Sequence, residues 1–317
     1  MLNIGIVGYG NLGRAVELAA RSLGDVCVRT VFSRRSERIK TIGAVALPTE
    51  SIESLGRDLD CLILAGGSSS DLPRQAPLYV RYCNIVDSFD AHGKIAEHIT
   101  SVNEAAQAAK HTAVVAAGWD PGFLSLIRLY STAFMPYAAV NTLWGEGISQ
   151  GHSEALRRIK GVIDAVQFTR PVDNAEELCS ASGELSPTVT HRRICYIAAV
   201  KGEEVRIAEE VKGTEDYFKG YETHVVFTDR EAVAKKRAEM HHRGRVIAEG
   251  ETGIAGEHKE VMRLELQLSS NPEFTAFILI AAARAASSLS GIGCYGAKSF
   301  FDIPPRLFLG EIPEGML

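Results

Sequence analysis

Ile4-Gly5-Ile6-Val7-Gly8-Tyr9-Gly10-Asn11-Leu12-Gly13 decides how this chain begins to fold. A β-branched run, Ile4, Ile6 and Val7, leads straight into G-x-G-x-x-G. The pattern from Leu12 to Leu23 predicts a helix. Each glycine has a mechanical job: Gly8 for the tight turn, Gly10 for close approach of backbone to a pyrophosphate, Gly13 for close helix–strand packing. The helix N-terminus adds unsatisfied N–H groups and partial positive charge. The competing reading is an ordinary strand-to-helix turn. Strand, motif and helix in this order favour dinucleotide binding, with Gly8, Tyr9, Gly10, Asn11, Leu12 and Gly13 as the cradle.

Outward from that motif, the first 118 residues alternate strands and helices. Expected strands are Asn3–Val7, Val26–Phe32, Cys61–Ala65, Asn84–Val86 and Ala113–Ala117, with helices at Asp71–Tyr82 and Ile95–Ala109. Such alternation predicts an α/β fold, a Rossmann-type doubly wound parallel sheet. Ligands of these sheets sit at the carboxyl ends of the strands, so those loops are where function is sought. The second strand ends in Ser33-Arg34-Arg35, with no acid after Asp25. An acid here would bond the ribose of NAD, whereas guanidiniums suit the 2′-phosphate of NADP. A solvated charge pair is the plainer alternative. The third strand ends in Ala65-Gly66-Gly67-Ser68-Ser69-Ser70-Asp71, small residues for a passing cofactor, or a helix cap. The fourth ends in Asp87-Ser88-Phe89-Asp90 and the fifth in Gly118-Trp119-Asp120-Pro121-Gly122. Ser88 and Phe89 join the expected cofactor contacts. Asp90 and Asp120 then fall on neighbouring strand-end loops near a nicotinamide, as candidate catalytic acids. Asp120 before Pro121 also suits a turn or a helix start.

The chain has 317 residues, 46% hydrophobic and 23% charged, with net charge −5. That length suggests two domains, and the charge disfavours a nucleic-acid partner. The six cysteines include no C-x-x-C pair, and no metal site is expected. Thiols in apolar runs point to a reducing, cytoplasmic compartment. A strand at the N-terminus leaves no room for a signal peptide, and no apolar run is expected to span a membrane.

Past Pro136 the texture changes. Val140–Ile148, Val162–Thr169, His191–Val200, Thr223–Phe227, Val246–Glu249 and Val261–Leu268 predict strands, many alternating apolar and polar as in a sheet with one wet face. Ser153–Ile159 predicts a short helix, and Arg170 to Pro187 a loop. Asn271-Pro272 introduces an alanine-rich helix, Phe274–Leu289, expected to rejoin the first domain. The division is therefore residues 1–118 plus about 271–317 for the nucleotide domain. The α+β substrate and dimerisation domain takes about 119–270.

These residues resemble the meso-diaminopimelate dehydrogenase family nearly end to end. The likeness rests on Gly8–Gly13, Phe32-Ser33-Arg34-Arg35, Val86-Asp87 with Asp90 and His92, and Gly118–Gly122. Its longest stretch runs from Trp144-Gly145-Glu146-Gly147-Ile148-Ser149-Gln150-Gly151-His152-Ser153 through Ala155-Leu156-Arg157-Arg158-Ile159. Thr190-His191-Arg192-Arg193, Asp216-Tyr217-Phe218, Gly220-Tyr221-Glu222 and Asn271-Pro272 extend it. Where the family often reads Met-Pro-His-Gly-Gly, this chain has Met240-His241-His242-Arg243-Gly244.

The resemblance implies reversible NADP-dependent oxidative deamination at the D-centre of meso-2,6-diaminopimelate, in lysine and cell-wall precursor metabolism. It implies Asp90 and Asp120 at the reacting amine. Thr169, Arg193 and His242 are similar to family residues that hold the distant L-centre. Trp119, Trp144, Gln150, Gly151 and Asn271 would line or bond the substrate. It also implies a homodimer through the second domain. Trp144 as core and Arg193 beside Arg192 as a solvated face are the bland alternatives. Two other functions compete: a related D-amino-acid or semialdehyde dehydrogenase, and a non-catalytic NADPH-binding sensor.

Overall fold

The structure is a computed structural model that describes residues 1–68, 70–135, 137–215, 217–239 and 241–316. Ser69, Pro136, Asp216 and Met240, quoted above, lie outside the described residues. In chain order the strands are β1 Leu2–Val7, β2 Val26–Phe32, β3 Val45–Leu47, β4 Cys61–Leu64, β5 Ile85–Asp87, β6 Thr112–Val114, β7 Ala139–Trp144, β8 Gly147–Ile148, β9 Val162–Pro171, β10 His191–Ala199, β11 Glu222–Phe227, β12 His242–Thr252, β13 His258–Leu268 and β14 Gly296–Lys298. The chain divides into two compact units, Met1–Ser125 with Pro272–Leu317, and Leu126–Asn271.

The first unit is built on a seven-stranded sheet in the order β14-β6-β5-β4-β1-β2-β3. Every pairing in it is parallel. From β3 to β6 this is the doubly wound order of dinucleotide-binding folds. Strands covered on both faces must be apolar throughout; all four residues of β4 are buried. Val7, Phe32, Leu62, Leu64, Leu72, Ile85 and Val102 form one core between sheet and helices. Because the strands run parallel, the loops after β1, β2, β4, β5 and β6 leave the same edge of the sheet.

Two strands of this sheet escape the sequence. β3 and β14 are three residues each, too short for a period-2 pattern, and exist because β2 and β6 offer open edges to pair with. Gly118 O accepts from Phe123 N–H, and Gly122 N–H donates to Ser125 Oγ. Residues 118–125 therefore form one hydrogen-bonded turn, which lies within the first compact unit. The helix Asn271–Gly291 corrects the expectation that nothing is apolar enough to span a membrane. At 21 residues it meets that test by length and composition. It is instead a core helix: Ala276, Leu279, Ile280, Ala283 and Ala286 are buried. Arg284 also forks onto Asp25, at 2.7 and 2.9 Å.

The second unit has a four-stranded sheet, β11-β10-β9-β8, and a three-stranded one, β13-β12-β7. All pairings are antiparallel except β10 with β11. The stretch Val140–Ile148, expected as one strand, is two strands in different sheets. Gly145 makes the switch with φ +133°; a Cβ there would lie 2.6 Å from Pro171 Cδ and 2.8 Å from Thr169 O. Only glycine turns the chain in that space. The expected loop from Arg170 to Pro187 contains the helix Ala175–Ser182, whose Ala175 and Cys179 bury against Leu143 and Ile247. The helices Glu204–Gly213 and Arg230–Arg237 also lie between these strands. Each buries only a narrow apolar stripe, Ile207 with Val211 and Val233.

Candidate active site

In the first unit the glycine motif has the mechanics its spacing requires. Gly8 has φ +93°. A Cβ on Gly13 would sit 2.2 Å from Gly8 O, while one on Gly10 would meet nothing within 4 Å. Gly13 therefore serves helix–strand packing, and Gly10 faces open space where a pyrophosphate can approach. Gly10 also heads the helix Asn11–Arg21 without a side-chain cap among the described residues, so backbone N–H groups stay available to an anion. The residues fit a dinucleotide phosphate.

Glu17, which the sequence did not single out, locks the flank of this cradle. Its buried carboxylate accepts from the N–H groups of Ile42, Gly43 and Ala44, at 2.7–3.1 Å, and from the Tyr9 hydroxyl. Burial alone would raise its pKa, but Tyr9 and those three N–H groups hold it below the ordinary carboxylate range. Tyr9 is pushed up to about 12, first by burial and then by Glu17, and stays a phenol. Residues 42–44 close the loop that begins with Ser33, Arg34 and Arg35. Ser33 N–H bonds Leu47 O in β3, and its Oγ accepts from Arg35 N–H. Arg34 is 70% exposed, 3.5 Å from Asp71 Oδ1, so its guanidinium is accessible to a phosphate. Asp71 in turn packs over Gly66, where a Cβ would lie 2.8 Å away, and takes the Gly67 N–H at 3.3 Å.

Asp90 and Asp120 leave the ends of β5 and β6 and are both partly buried. Asp90 N–H donates to Ser68 Oγ at 3.2 Å, and Ser68 Oγ reaches Ser88 O at 3.4 Å. Ser68 thus anchors the Asp90 loop. Trp119 is 8% exposed and Phe89 2%, so each acid directly follows a buried aromatic residue.

In the second unit, register brings three expected residues together. Gly147 of β8 pairs with Thr169 of β9, which pairs with Arg193 of β10. The His242 ring packs on Gly147, where a Cβ would be 2.5 Å from Cγ. Thr169, Arg193 and His242 are 3%, 7% and 4% exposed. His241 beside it is exposed. Arg193 Nη1 donates to Thr169 Oγ1, and its Cζ lies 4.1 Å over the Tyr221 ring. Its Nε is buried without a partner. No carboxylate among the described residues pairs with this guanidinium, and burial pushes its pKa down. Gln167, missed in the sequence, donates to Thr169 Oγ1 at 3.2 Å. With two donors on its oxygen, the Thr169 hydroxyl keeps its own proton to give.

Trp144 closes β7. Its N–H donates to His191 Nε2 at 2.7 Å, and the two rings are 5.1 Å apart. An amide can only donate, so Nε2 is bare and Nδ1 carries the proton, facing Pro187 O at 3.2 Å. His191 is pushed down to about 4 by burial and then by Arg193; it is neutral and holds Trp144 in place. Gln150 and Gly151 open the helix Gln150–Arg158, whose N-cap Ser149 bonds Gln167 O through its N–H. Asn271 follows β13 just past Leu268, the partner of His242. Among the described residues no cluster of three or more His, Cys, Asp or Glu is placed to hold a metal.

A doubly wound sheet with this cradle, joined to a second unit with a buried basic row, defines a nicotinamide-dependent oxidoreductase. Residues 118–270 match the diaminopimelic acid dehydrogenase C-terminal domain. The chain is 43% identical over 310 residues to the meso-diaminopimelate D-dehydrogenase of Acetivibrio thermocellus, covering 96% of this chain and 93% of the relative. The enzyme of that name from Corynebacterium glutamicum is 38% identical over 312 residues, with 98% and 96% covered. The structure of C. glutamicum DAP dehydrogenase in complex with DAP aligns at TM-score 0.92, 38% identity and coverage of 98% and 96%. An engineered D-amino acid dehydrogenase bound to NADP+ aligns at 0.93, with 37% identity and coverage of 98% and 97%. The chain belongs to the meso-diaminopimelate dehydrogenase family.

Proposed function

We infer that this protein catalyses the reversible NADP-dependent oxidative deamination of meso-2,6-diaminopimelate at its D-centre, giving L-2-amino-6-oxopimelate, ammonia and NADPH. Besides the family, Arg193 carries the substrate reading. A buried cation with no anion beside it is costly. A carboxylate on the far end of the substrate removes that cost and matches the guanidinium fork. Thr169 Oγ–H adds a donor, and His242 completes the grip on that amino-acid group. Trp144, Gln150, Gly151 and Asn271 shape the same end.

In the first unit Asp90 and Asp120 hold the reacting ammonium, with Trp119 beside them. One takes its proton, freeing the lone pair to form C=N as hydride leaves the D-carbon. Bound NADP supplies the hydride acceptor, held by the turn Gly8–Gly13, by residues 65–68 and 88–89, and by Ser33, Arg34 and Arg35. Water then adds to the imine carbon, and ammonia departs as the carbonyl forms. A wider D-amino-acid range is the second reading, favoured by the likeness to the engineered D-amino acid dehydrogenase. It leaves Arg193 without an anion, because a simple D-amino acid has no second carboxylate.

A homodimer through the second unit accompanies this reading; exposed Ile163, Val226 and Val261 on its strands support an apolar contact. Six free thiols support a reducing cytoplasm. The deciding experiment is NADPH formation with the separate meso, LL and DD isomers. Turnover of meso alone is expected; equal turnover of the LL and meso isomers would overturn the assignment.

A further inference from the structure

Asp87 ends β5 and is 0% exposed. Its Oδ1 accepts from two backbone N–H groups, Phe89 at 3.1 Å and Ala116 at 2.9 Å. Its Oδ2 accepts from His98 Nε2 at 2.7 Å. Its carbonyl accepts from Ala117 N–H at 2.8 Å. Phe89 immediately precedes Asp90. Ala116 and Ala117 begin the loop that carries Trp119 and Asp120. One carboxylate therefore ties together the two strand ends that bear the acids of the reacting centre. His98, on the helix Ile95–Ala109, is also buried, and its ring stacks on Phe89 with centroids 4.2 Å apart and planes at 18°.

Ala116 shows that the tie constrains. It sits at φ +53°, a left-handed conformation that disfavours a residue with a Cβ. Strained backbone persists where surroundings over-determine it, and the N–H of this residue is the one Asp87 holds. A staple for stability alone has no need of a buried charge, since apolar packing does as well. We propose that Asp87 and His98 are positioning residues for the reaction, setting where Asp90 and Asp120 stand. This rests on the assignment of those two acids to the reacting amine.

The test uses the full chain with three substitutions, His98→Phe, His98→Gln and Asp87→Asn, and measures melting temperature, NADPH affinity, KM and kcat. Misplacement of a reacting group by about 1 Å costs roughly a hundredfold in rate. His98→Phe is expected to lower kcat ten- to hundredfold with NADPH affinity within twofold, and His98→Gln, which keeps a donor, to recover most of it. Asp87→Asn is expected to cost less on Asp120→Asn than on the parent, because residues acting through one another are not additive, the remaining loss being its hold on the Asp90 loop. Should Asp87→Asn not fold, the two His98 variants decide alone. A lowered melting temperature with kcat within twofold in His98→Phe would reduce the pair to a staple. If Asp120→Asn is inactive while His98→Phe is normal, only this inference falls. If Asp120→Asn itself turns over normally, both the assignment and the inference fall.

Discussion

Arg193 stands directly across the β9–β10 ladder from Thr169 and donates to its hydroxyl through Nη1, while its Nε is buried without a partner. A guanidinium so placed weakens the empty protein and is satisfied by a bound anion. Arg193→Met keeps the volume and removes the charge. Charge-assisted bonds are worth about 1.5–3 kcal/mol, roughly ten- to hundredfold in affinity. KM for diaminopimelate should rise by at least the lower factor, while the melting temperature holds or rises. A drop in stability with unchanged KM would make Arg193 structural.

His191 predicts an acid-side loss of stability. Its folded pKa is about 4, below the ordinary 6.5, owing to burial and then to Arg193. The unfolded chain therefore binds the extra proton between those values, and stability rises with pH across the window. Between about pH 6.5 and 4 the loss is on the order of 3 kcal/mol. His191→Gln, which offers Trp144 N–H an acceptor that does not titrate, should flatten this slope in urea melts. An unchanged slope would place the titrating group elsewhere.

The cofactor loop is expected to separate NADP from NAD. Arg34→Ala and Arg35→Ala should raise KM for NADP roughly ten- to hundredfold and leave NAD turnover nearly unchanged. Equal loss with both cofactors would assign the arginines to the fold.

Two glycines of one motif should fail differently. Gly13→Ala drives a Cβ onto Gly8 O, and such overpacking costs about 1–3 kcal/mol. Gly10→Ala has open space around it, so its melting temperature should match the parent while NADP binding weakens. Equal destabilisation of both variants would contradict the division of labour.

Asp120→Asn should lower kcat at least a hundredfold, the lower bound for a positioned proton acceptor, with NADPH affinity retained. Deamination releases protons and needs a neutral amine, so its rate should peak at higher pH than amination. Near-normal kcat with a flat pH profile would leave Asp120 as a turn residue.

The glycine motif, the apolar strand Cys61–Leu64 and the acid-free Ser33-Arg34-Arg35 are legible in the chain itself. Each is local: a turn needs its glycines, a doubly covered strand needs unbroken apolar residues, and a strand-end loop carries its charges wherever the sheet goes. Long-range pairing is not local. β3 and β14 are strands only because β2 and β6 present edges, and Gly145 divides one apolar run between two sheets. Gly147, Thr169 and Arg193 lie in one row because antiparallel register aligns residues far apart in sequence. Gln167 and Glu17 carry no motif, and the stretches that hold His191 and Asp87 give those two residues no role. Their roles come from burial, where a polar group must find partners, and which partners it finds was decided by the tertiary structure alone.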